Sequence, residues 1–294
     1  MIRRILFDFN RGKEAAAEAV RTCAQLCRER GLEPCFFAAD AAWLRVHAPE
    51  VLEGGRLLER LRPGEIDVML VFGGDGTVLR ALDSYVDCDI PVLGVHLGRM
   101  GFLLETQPQE MAQALDRLKA GAYRIERRMM LRAEGVLGGR SVCAYATNEI
   151  AVSRGLSQRM IALDAFVDDM LVDHYIADGV VLASPTGSTA YSLSAGGPII
   201  APDVQCMLLN PICPHTLTAR PIVLSPKGRV RLRIHMKEMR EGIQLSVDGQ
   251  AVCEMRNHEE ISVIRSPHDA LLIRFDEKRN YFALLKDKLS QWSL

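Results

Sequence analysis

The pattern of apolar and polar positions changes along the chain near residue 121. Before that point, short apolar runs alternate with stretches whose apolar residues recur at helical spacing. The runs predict strands at 2–9, 34–38, 67–72 and 91–95, and the spaced positions predict helices at 13–30, 77–86 and 109–119. Alternation of strands and helices is typical of a doubly wound α/β domain, which we expect over residues 1–121.

From residue 122 the apolar runs become short and closely spaced, and glycine, proline or aspartate separates them. They predict strands at 141–152, 161–167, 180–183, 230–235 and 244–247, with one helix beginning near Ser188. This pattern is typical of an antiparallel β domain. We expect a sandwich-like C-terminal β domain over 122–275, and a tail at 276–294 whose apolar segment packs back on the N-terminal domain.

Composition narrows the range of partners. The 294 residues include 36 Lys and Arg against 37 Asp and Glu, so the chain lacks the basic excess expected of a nucleic-acid-binding protein. The same balance gives no long-range attraction to anionic membranes. The apolar runs are too short for a transmembrane helix, and the first residues lack the apolar core of a signal peptide. We therefore expect neither a nucleic-acid nor a membrane partner.

The spacing of cysteines and histidines gives no sign of a structural metal. The eight cysteines include no CxxC pair, and the seven histidines show no HxxxH spacing. Cys23 and Cys27 have a spacing that zinc would tolerate, but no second pair completes a site. Their spacing also fits one packed face of a helix. We expect reduced thiols in a cytoplasmic protein.

The sharpest local motif is the glycine-rich loop at residues 73–77, Gly-Gly-Asp-Gly-Thr, between a buried strand and a helix. Glycines let the backbone approach a ligand closely, and the start of a helix offers N–H groups to an anion. The loop lacks the lysine of a Walker A motif and the spacing of GxGxxG. A tight left-handed turn is the alternative. Asp75 at the carboxyl end of a strand, where open α/β sheets bind ligands, favours a phosphate site.

A second motif covers residues 178–198, where a strand leads into a cluster of small hydroxyl residues, a helix start and a double glycine. Hydroxyl and N–H groups there suit a purine edge or a phosphate. The alternative is that Ser188 caps the helix and that Tyr191 is merely packed.

A third motif, Thr147-Asn148-Glu149-Ile150, places polar residues inside an apolar β run. Taken alone, these residues are better explained by an edge-strand or turn position.

Together, these three motifs resemble those of the NAD kinase family. Further matching segments run along the chain, at 91–103, 128–131, 211–215, 220–223, 248–250 and 288–292. The glycine loop alone is shared with diacylglycerol kinase, sphingosine kinase and phosphofructokinase relatives, whereas the 178–198 segment singles out NAD kinases. Three positions depart from the usual family pattern, namely Ile176, which is commonly basic, His96, which is usually asparagine, and Ser184, which is usually threonine.

The resemblance implies transfer of the γ-phosphoryl group of ATP to the 2′-hydroxyl of the adenosine ribose of NAD, with Mg²⁺ as the metal that accompanies ATP. It implies that Asp75 is catalytic, orienting that hydroxyl and accepting its proton. The phosphate loop that faces ATP would comprise Gly73, Gly74, Gly76 and Thr77. The family also implies a homodimer or homotetramer.

The resemblance further implies a set of NAD contacts. Asn148 and Glu149 would contact the adenine and the ribose hydroxyls, and Asp178 would lie near the nicotinamide. The remaining candidates around the dinucleotide are Gly76, Arg159, Thr186, Thr189, Ala190, Tyr191, Ser194 and Gln250. Arg159 would meet a phosphate, with a solvated surface position as the alternative, and Arg80 on the helix after the glycine loop has the same two interpretations.

Two other functions share parts of this pattern. A lipid kinase would share the glycine loop, but nothing in it requires the 178–198 segment. A catalytically silent dinucleotide sensor would share the fold, but it would have no need of the loop aspartate. The presence of Asp75, Asn148 and Glu149 together favours an enzyme.

Overall fold

The computed structural model describes residues 2–157, 159–236, 242–275 and 281–291. The chain divides into two compact units, residues 1–127 with 270–294, and residues 128–269. The sequence placed the boundaries near 121 and 275 instead. Both structural boundaries fall inside long strands, Arg124–Leu137 and Glu260–Arg274.

The part of the first unit that precedes residue 124 contains five strands and four helices. The strands are β1 (Arg4–Phe9), β2 (Glu33–Phe37), β3 (Arg56–Leu58), β4 (Val68–Gly73) and β5 (Val92–His96). The helices are α1 (Ala15–Glu29), α2 (Ala41–His47), α3 (Asp75–Ser84) and α4 (Met111–Ala120). Short 3₁₀ turns lie at Ala38–Asp40, Pro49–Val51, Val86–Cys88 and Pro108–Glu110.

The remaining described chain is mostly strand. The strands are β6 (Arg124–Leu137), β7 (Arg140–Ala146), β8 (Glu149–Ser153), β9 (Ile161–Val167), β10 (Met170–Ala177), β11 (Gly179–Ala183), β12 (Met207–Ile212), β13 (Ile222–Leu224), β14 (Val230–Ile234), β15 (Ile243–Val247), β16 (Gln250–Met255) and β17 (Glu260–Arg274). A 3₁₀ turn at Thr186–Thr189 precedes the short helix α5 (Tyr191–Ser194), and helix α6 covers Tyr281–Gln291.

The first unit is built on a parallel sheet in the order β3-β2-β1-β4-β5, which the end of β17 extends through Leu272 beside Val92. Every residue of β4 is buried, as expected of a strand covered on both faces. Helix α1 packs its predicted face into the core, where Cys23 and Cys27 are fully buried. The predicted α/β domain and the packed helix face are confirmed.

The second unit is a pair of antiparallel sheets around one core. One sheet has the order β13-β12-β11-β8-β15-β16. The other contains β10-β9-β14-β17, with β6 paired to β17 and β7 paired to β6. Side chains from both sheets, such as Leu182 and Leu232, share the same buried cluster, and Tyr175 is its largest fully buried member. This is the sandwich that the closely spaced apolar runs predicted.

Several predicted elements were wrong in detail. Residues 141–152 form two strands rather than one, because the chain turns at Thr147 and Asn148 between β7 and β8. The predicted helix at Ser188 is a 3₁₀ turn followed by four residues of helix. Strands β6 and β17 were missed, since charged residues interrupt their apolar alternation.

The cysteines and the tail complete the description. All eight cysteines are free thiols. Within helix α6, the Tyr281 ring lies 5.9 Å from that of Phe102 in the same unit, while tail residues 276–280 and 292–294 lie outside the described chain. No helix in the described ranges is long and apolar enough to cross a membrane.

Candidate active site

Asp75 is the first residue of helix α3, two residues before the predicted helix start. Strand β4 ends at Gly73, and Gly74 links strand and helix in an extended conformation. Both carboxylate oxygens of Asp75 accept backbone N–H bonds. Phe102 donates to Oδ2 at 2.9 Å and Leu103 donates to Oδ1 at 3.0 Å. The carboxylate is therefore held in one orientation at the carboxyl end of the parallel sheet.

The left-handed-turn interpretation of the glycine loop is wrong, because Gly73, Gly74 and Gly76 do not have positive φ values. Gly73 is required by close packing, since a Cβ there would overlap the Thr77 hydroxyl. A Cβ on Gly74 or on Gly76 would meet no heavy atom within 4 Å. The protein does not itself need glycine at these two positions, which leaves bare backbone at the start of the helix for a ligand.

The loop that follows β5 approaches Asp75 so closely that Gly101 has no room for a side chain. A Cβ built on Gly101 would overlap the Asp75 carboxylate group. Strands β4 and β5 pair with Gly73 opposite His96, so their carboxyl ends bring this loop and the glycine loop together. Gly101 belongs to the family-like segment 91–103, but the sequence assigned it no role.

Arg274, near the end of β17, holds the loop that orients Asp75. Its guanidinium donates to the carbonyl oxygens of Phe102 at 3.0 Å and Leu104 at 3.1 Å. It also pairs with Glu105 at 3.2 Å and Glu126 at 2.5 Å. Arg274 is only 6% exposed, so these bonds replace its hydration. Sequence analysis missed this residue because its partners are more than a hundred residues away in the chain.

Arg80 lies at the surface, as one of its two interpretations held, and it pairs with a carboxylate. Its guanidinium lies 2.6 Å from Oδ1 of Asp8 on strand β1. Burial raises the pKa of Asp8, and the charge of Arg80 opposes that rise. Asp8 therefore fixes the Arg80 side chain against the sheet, although half of that side chain is exposed.

In the second unit, Thr147, Asn148 and Glu149 are held by Asp248 from the β15–β16 turn. Asp248 Oδ2 accepts the N–H of Thr147 at 2.9 Å, and Oδ1 accepts those of Asn148 at 2.8 Å and Glu149 at 2.9 Å. Strand β8 pairs with β11 on one side and β15 on the other. The edge-strand interpretation is therefore wrong, whereas the turn interpretation is confirmed at Thr147 and Asn148. We call residues 147–149, held by Asp248, the braced turn.

Glu149 is a buried carboxyl group, 6% exposed. The backbone N–H of Tyr191 bonds to the carboxyl group, while its Oε2 has no hydrogen-bond partner among the described residues. Burial, followed by the nearby charge of Asp248, raises the pKa of Glu149 to about 7. Sequence analysis identified Glu149 as a candidate but did not predict its raised pKa.

The 184–194 segment packs directly on the Thr147–Asn148 turn. The Ser184 hydroxyl donates to the Thr147 carbonyl at 2.5 Å, and a Cβ on Gly187 would overlap the Asn148 carbonyl. The Ser188 hydroxyl bonds to the backbone of Pro185 and Ile200, so the alternative that Ser188 caps the helix is wrong. The structure thus brings Asn148 and Glu149 beside this segment.

The other predicted contacts have varied surroundings. Arg128 donates to the buried Thr186 hydroxyl at 3.3 Å, and Thr189 donates to the Thr186 carbonyl at 3.2 Å. Asp178 pairs with Arg154 at 2.7 Å. Burial, with a smaller effect of Asp178 and Glu149 among other groups, raises the pKa of Tyr191, so this phenol lies near both carboxyl groups.

Four further candidates are at least partly accessible. Arg159 is exposed in the loop after β8, and Gln250 is exposed at the first position of β16. Ala190 is half-buried and Ser194 is exposed around helix α5. Among the residues that the structure describes, no group of three or more His, Cys, Asp or Glu is arranged to hold a metal ion.

Comparison with known proteins decides the family. Residues 45–123 match the model of the ATP-NAD kinase N-terminal domain, and residues 147–275 match that of the ATP-NAD kinase C-terminal domain. The NAD kinase of Heliobacterium modesticaldum is 40% identical over 283 residues, which cover 96% of each chain. The chain belongs to the NAD kinase family. A second relative, the NAD kinase of Moorella thermoacetica, is 43% identical over 223 residues, 76% of this chain and 71% of its own.

Two solved structures have a fold similar to that of this chain. Yeast NADH kinase complexed with NADH superposes with a TM-score of 0.87 at 25% identity, covering 98% of this chain and 88% of its own. An Archaeoglobus fulgidus NAD kinase in complex with ATP gives a TM-score of 0.71 at 23% identity, covering 96% and 97%. The resemblance read from the motifs is confirmed, and the NAD kinase family is one of phosphotransferase enzymes.

Proposed function

We propose that this enzyme transfers the γ-phosphoryl group of ATP to the 2′-hydroxyl of the adenosine ribose of NAD, producing NADP. The observation that carries the proposal is Asp75, whose carboxylate two backbone N–H groups orient at the start of α3. Membership of the NAD kinase family supports ATP as donor and NAD as acceptor. The lipid kinase and sensor alternatives lack this support.

Asp75 acts by orienting the acceptor hydroxyl. Each of its oxygens accepts one N–H bond, which leaves lone pairs to accept a bond from a ribose hydroxyl. Phosphoryl transfer through a loose transition state depends more on positioning and charge neutralisation than on a strong base. The hydroxyl proton passes to Asp75 late, once the oxygen is already bonding to phosphorus.

The bare backbone of Gly73, Gly74, Gly76 and Thr77 faces the ATP phosphates, because a helix start favours anions. Mg²⁺ bound with ATP would neutralise phosphate charge during transfer. Phosphate and water oxygens would supply most of its ligands, as is usual for Mg²⁺. The described residues suit this arrangement, because they offer Asp75 as a nearby oxygen donor but no cage of three acidic or histidine ligands.

Most of the candidate NAD contacts belong to the second unit. Asn148 and Glu149 meet the adenine and the ribose hydroxyls, with support from the braced turn that holds them. The segment that packs on this turn supplies the contacts around bases and riboses, Thr186, Thr189, Ala190, Tyr191 and Ser194. Asp178 lies near the nicotinamide, while Gln250 and Arg159 add an amide contact and a phosphate contact.

The enzyme acts in the cytoplasm as a homodimer or homotetramer. Free thiols at all eight cysteines support a reducing compartment. In the second unit, β10, β13 and β16 lie at the ends of the described sheets, and exposed edges are commonly paired or covered. Sedimentation at micromolar concentration showing a monomer would contradict the oligomeric assignment.

The decisive experiment incubates purified protein with ATP, Mg²⁺ and NAD and measures NADP. Parallel reactions with diacylglycerol, with a long-chain base and without ATP separate the lipid kinase and sensor alternatives. We expect NADP from NAD and no lipid product. Asp75→Asn should lower kcat by about 100-fold or more while NAD binding persists. Near-normal turnover of that variant would show that Asp75 does not accept the proton.

A further inference from the structure

The Asp248-Gly249 turn places a carboxylate where three backbone N–H groups converge. Both residues have positive φ, 45° and 75°, as a two-residue hairpin turn of this kind requires. Aspartate tolerates this conformation better than most residues, and its own N–H also donates to the Glu149 carbonyl at 2.9 Å. The turn is thus tied to residues 147–149 from both sides.

This bonding fixes a negative charge beside Glu149. A carboxylate that accepts several N–H bonds is favoured in its ionised form. Asp248 accepts three, from Thr147, Asn148 and Glu149. Two carboxylates in a buried setting repel each other, so the less well solvated one holds its proton more tightly.

Glu149 is the less well solvated of the two. One interaction, from the Tyr191 N–H, favours its charged form, whereas burial and Asp248 oppose it and raise its pKa to about 7. Its Oε2 is buried without a hydrogen-bond partner in the described chain. A neutral carboxyl group has one oxygen that accepts a hydrogen bond and one hydroxyl that donates one. In Glu149, one oxygen accepts the Tyr191 N–H, and Oε2 is the position of a hydroxyl that could donate to a ligand.

We propose that Asp248 is a positioning residue that holds Glu149 in its neutral form, so that Glu149 presents Oε2–H as a hydrogen-bond donor to NAD. This inference rests on the proposed function in one respect, that Glu149 contacts the dinucleotide. An acceptor atom on the adenine or on a ribose oxygen would receive the proton. An ionised Glu149 could only accept, and it would select a different group of the ligand.

Two elements packed against Glu149 contribute titratable groups. The β15–β16 turn contributes Asp248, and helix α5 contributes the N–H and phenol of Tyr191. The pKa of Tyr191 is itself raised, so that phenol stays neutral where Glu149 titrates. On the neighbouring strands, Ala183 stands opposite Glu149 and Val247 opposite Ile150. Asp248 is thus the charged side chain that acts on Glu149.

The test is the pH dependence of NAD binding, measured by calorimetric titration of the full chain without ATP from about pH 5.5 to about pH 8.5. Wild-type affinity should be constant below pH 6 and fall towards tenfold per pH unit above pH 7, because one proton must be retained. Glu149→Gln keeps a neutral donor, so its affinity should not depend on pH across the range. Affinity that rises through pH 7, or a Gln variant tenfold weaker than wild type at pH 6, would overturn the proposal.

Asp248→Asn tests the positioning role. Removing the charge should move the fall in affinity to lower pH, and the double variant with Glu149→Gln should lose the pH dependence altogether. An unmoved midpoint in a folded Asp248→Asn protein would rule out Asp248 as its cause.

If Asp248→Asn fails to fold, ¹³C NMR of the Glu149 carboxyl group in wild-type protein gives an independent readout, with the signal assigned by its loss in Glu149→Gln. A titration midpoint near 7 supports the neutral acid, and one near its ordinary value of 4.5 contradicts it. These outcomes are separate from failure of the proposed function, which would appear as wild-type protein that makes no NADP at any pH.

Discussion

At the scale of single residues, three carboxyl groups differ in how the backbone solvates them. Asp75 accepts two N–H bonds, Asp248 accepts three, and Glu149 has the Tyr191 N–H in a buried setting. Hydrogen bonds favour the charged form and burial favours the neutral form. In the proposed functions, a carboxyl group therefore acts as a proton acceptor at Asp75, as a fixed charge at Asp248 and as a hydrogen-bond donor at Glu149.

The raised pKa of Glu149 predicts a pH-dependent stability. Its folded pKa of about 7 lies above the ordinary 4.5, so the folded state binds the proton more tightly. The associated stability is full below pH 4.5 and is lost as pH rises through 7, on the order of 3 kcal/mol at about 1.4 kcal/mol per unit. Glu149→Gln should therefore gain stability relative to wild type between about pH 4.5 and pH 8, measured by urea unfolding.

The matched control for that measurement is Glu254→Gln, on the exposed side of β16. The difference in unfolding free energy between Glu254→Gln and wild type should be the same at about pH 4.5 and at about pH 8. If the unfolding free energies of Glu149→Gln and wild type changed in parallel with pH, Glu149 would have its ordinary pKa in the folded protein.

Gly101 provides a second residue-scale prediction. Since a Cβ there would overlap the Asp75 carboxylate, Gly101→Ala should displace that carboxylate. A displacement near 1 Å costs about 100-fold in rate, so kcat should fall by about that factor while the Kd for NAD changes little. Gly98→Ala in the same loop is the control, because a Cβ there meets nothing within 4 Å. Equal kcat values for the two variants would contradict the steric argument.

Motifs identified candidate site residues but not the groups that hold them in place. Asp75 and Glu149 stand out locally because glycines or apolar residues flank polar ones. Asp248 belongs to an Asp-Gly pair that indicates a turn, but its partners at 147–149 lie about a hundred residues earlier in the chain. Such partners become visible only when the strands are paired, so sequence analysis identified Gln250 in the same motif and passed over Asp248.

At the scale of elements, strands with a clear apolar run were the most predictable. Strand β4 is buried along its whole length, so its apolar run is continuous, and the antiparallel strand β9 has the predicted bounds of 161–167. Helix α3 begins two residues before its predicted start, because Asp75 lies in its first turn although glycines flank Asp75. Strand β6 carries four arginines, and its half-buried faces therefore gave no clear alternation.

The element-scale prediction concerns the clamp between β17 and the loop after β5. Arg274→Met would remove the buried guanidinium that pairs with Glu105 and Glu126. Removing one member of such a network costs about 3–5 kcal/mol, and the freed loop would orient Asp75 poorly. We expect a lower melting temperature and a kcat reduced more than tenfold, with little change in KM for NAD.

Arg265→Met is the matched control for this clamp, because Arg265 lies on the same strand but is 43% exposed and pairs loosely with Asp269 at 3.4 Å. Exposed pairs contribute about 0–1 kcal/mol, so its melting temperature should stay near that of wild type. A change in KM for NAD without a change in kcat for Arg274→Met would argue against a role through Asp75.

At the scale of the whole molecule, the two compact units have separate hydrophobic cores and separate shares of the proposed chemistry. The glycine loop and Asp75 belong to the first unit, and the braced turn with Glu149 belongs to the second. Each core can be stabilised by what binds its own unit. Ligand effects on stability should therefore differ between the units.

Hydrogen exchange measures that difference residue by residue. NAD at about 100 times its Kd stabilises what it binds by about 2.7 kcal/mol, which slows exchange through the corresponding opening by about 100-fold. With NAD alone, amides of β8 and β11 should gain most of this protection, and those of β1 and β2 much less. ATP with Mg²⁺ should instead protect the amides of Phe102 and Leu103, because they bond to Asp75 beside the proposed phosphate site. Equal protection of both units by either ligand would show that they open as one cooperative body, and that the binding energy is shared rather than local.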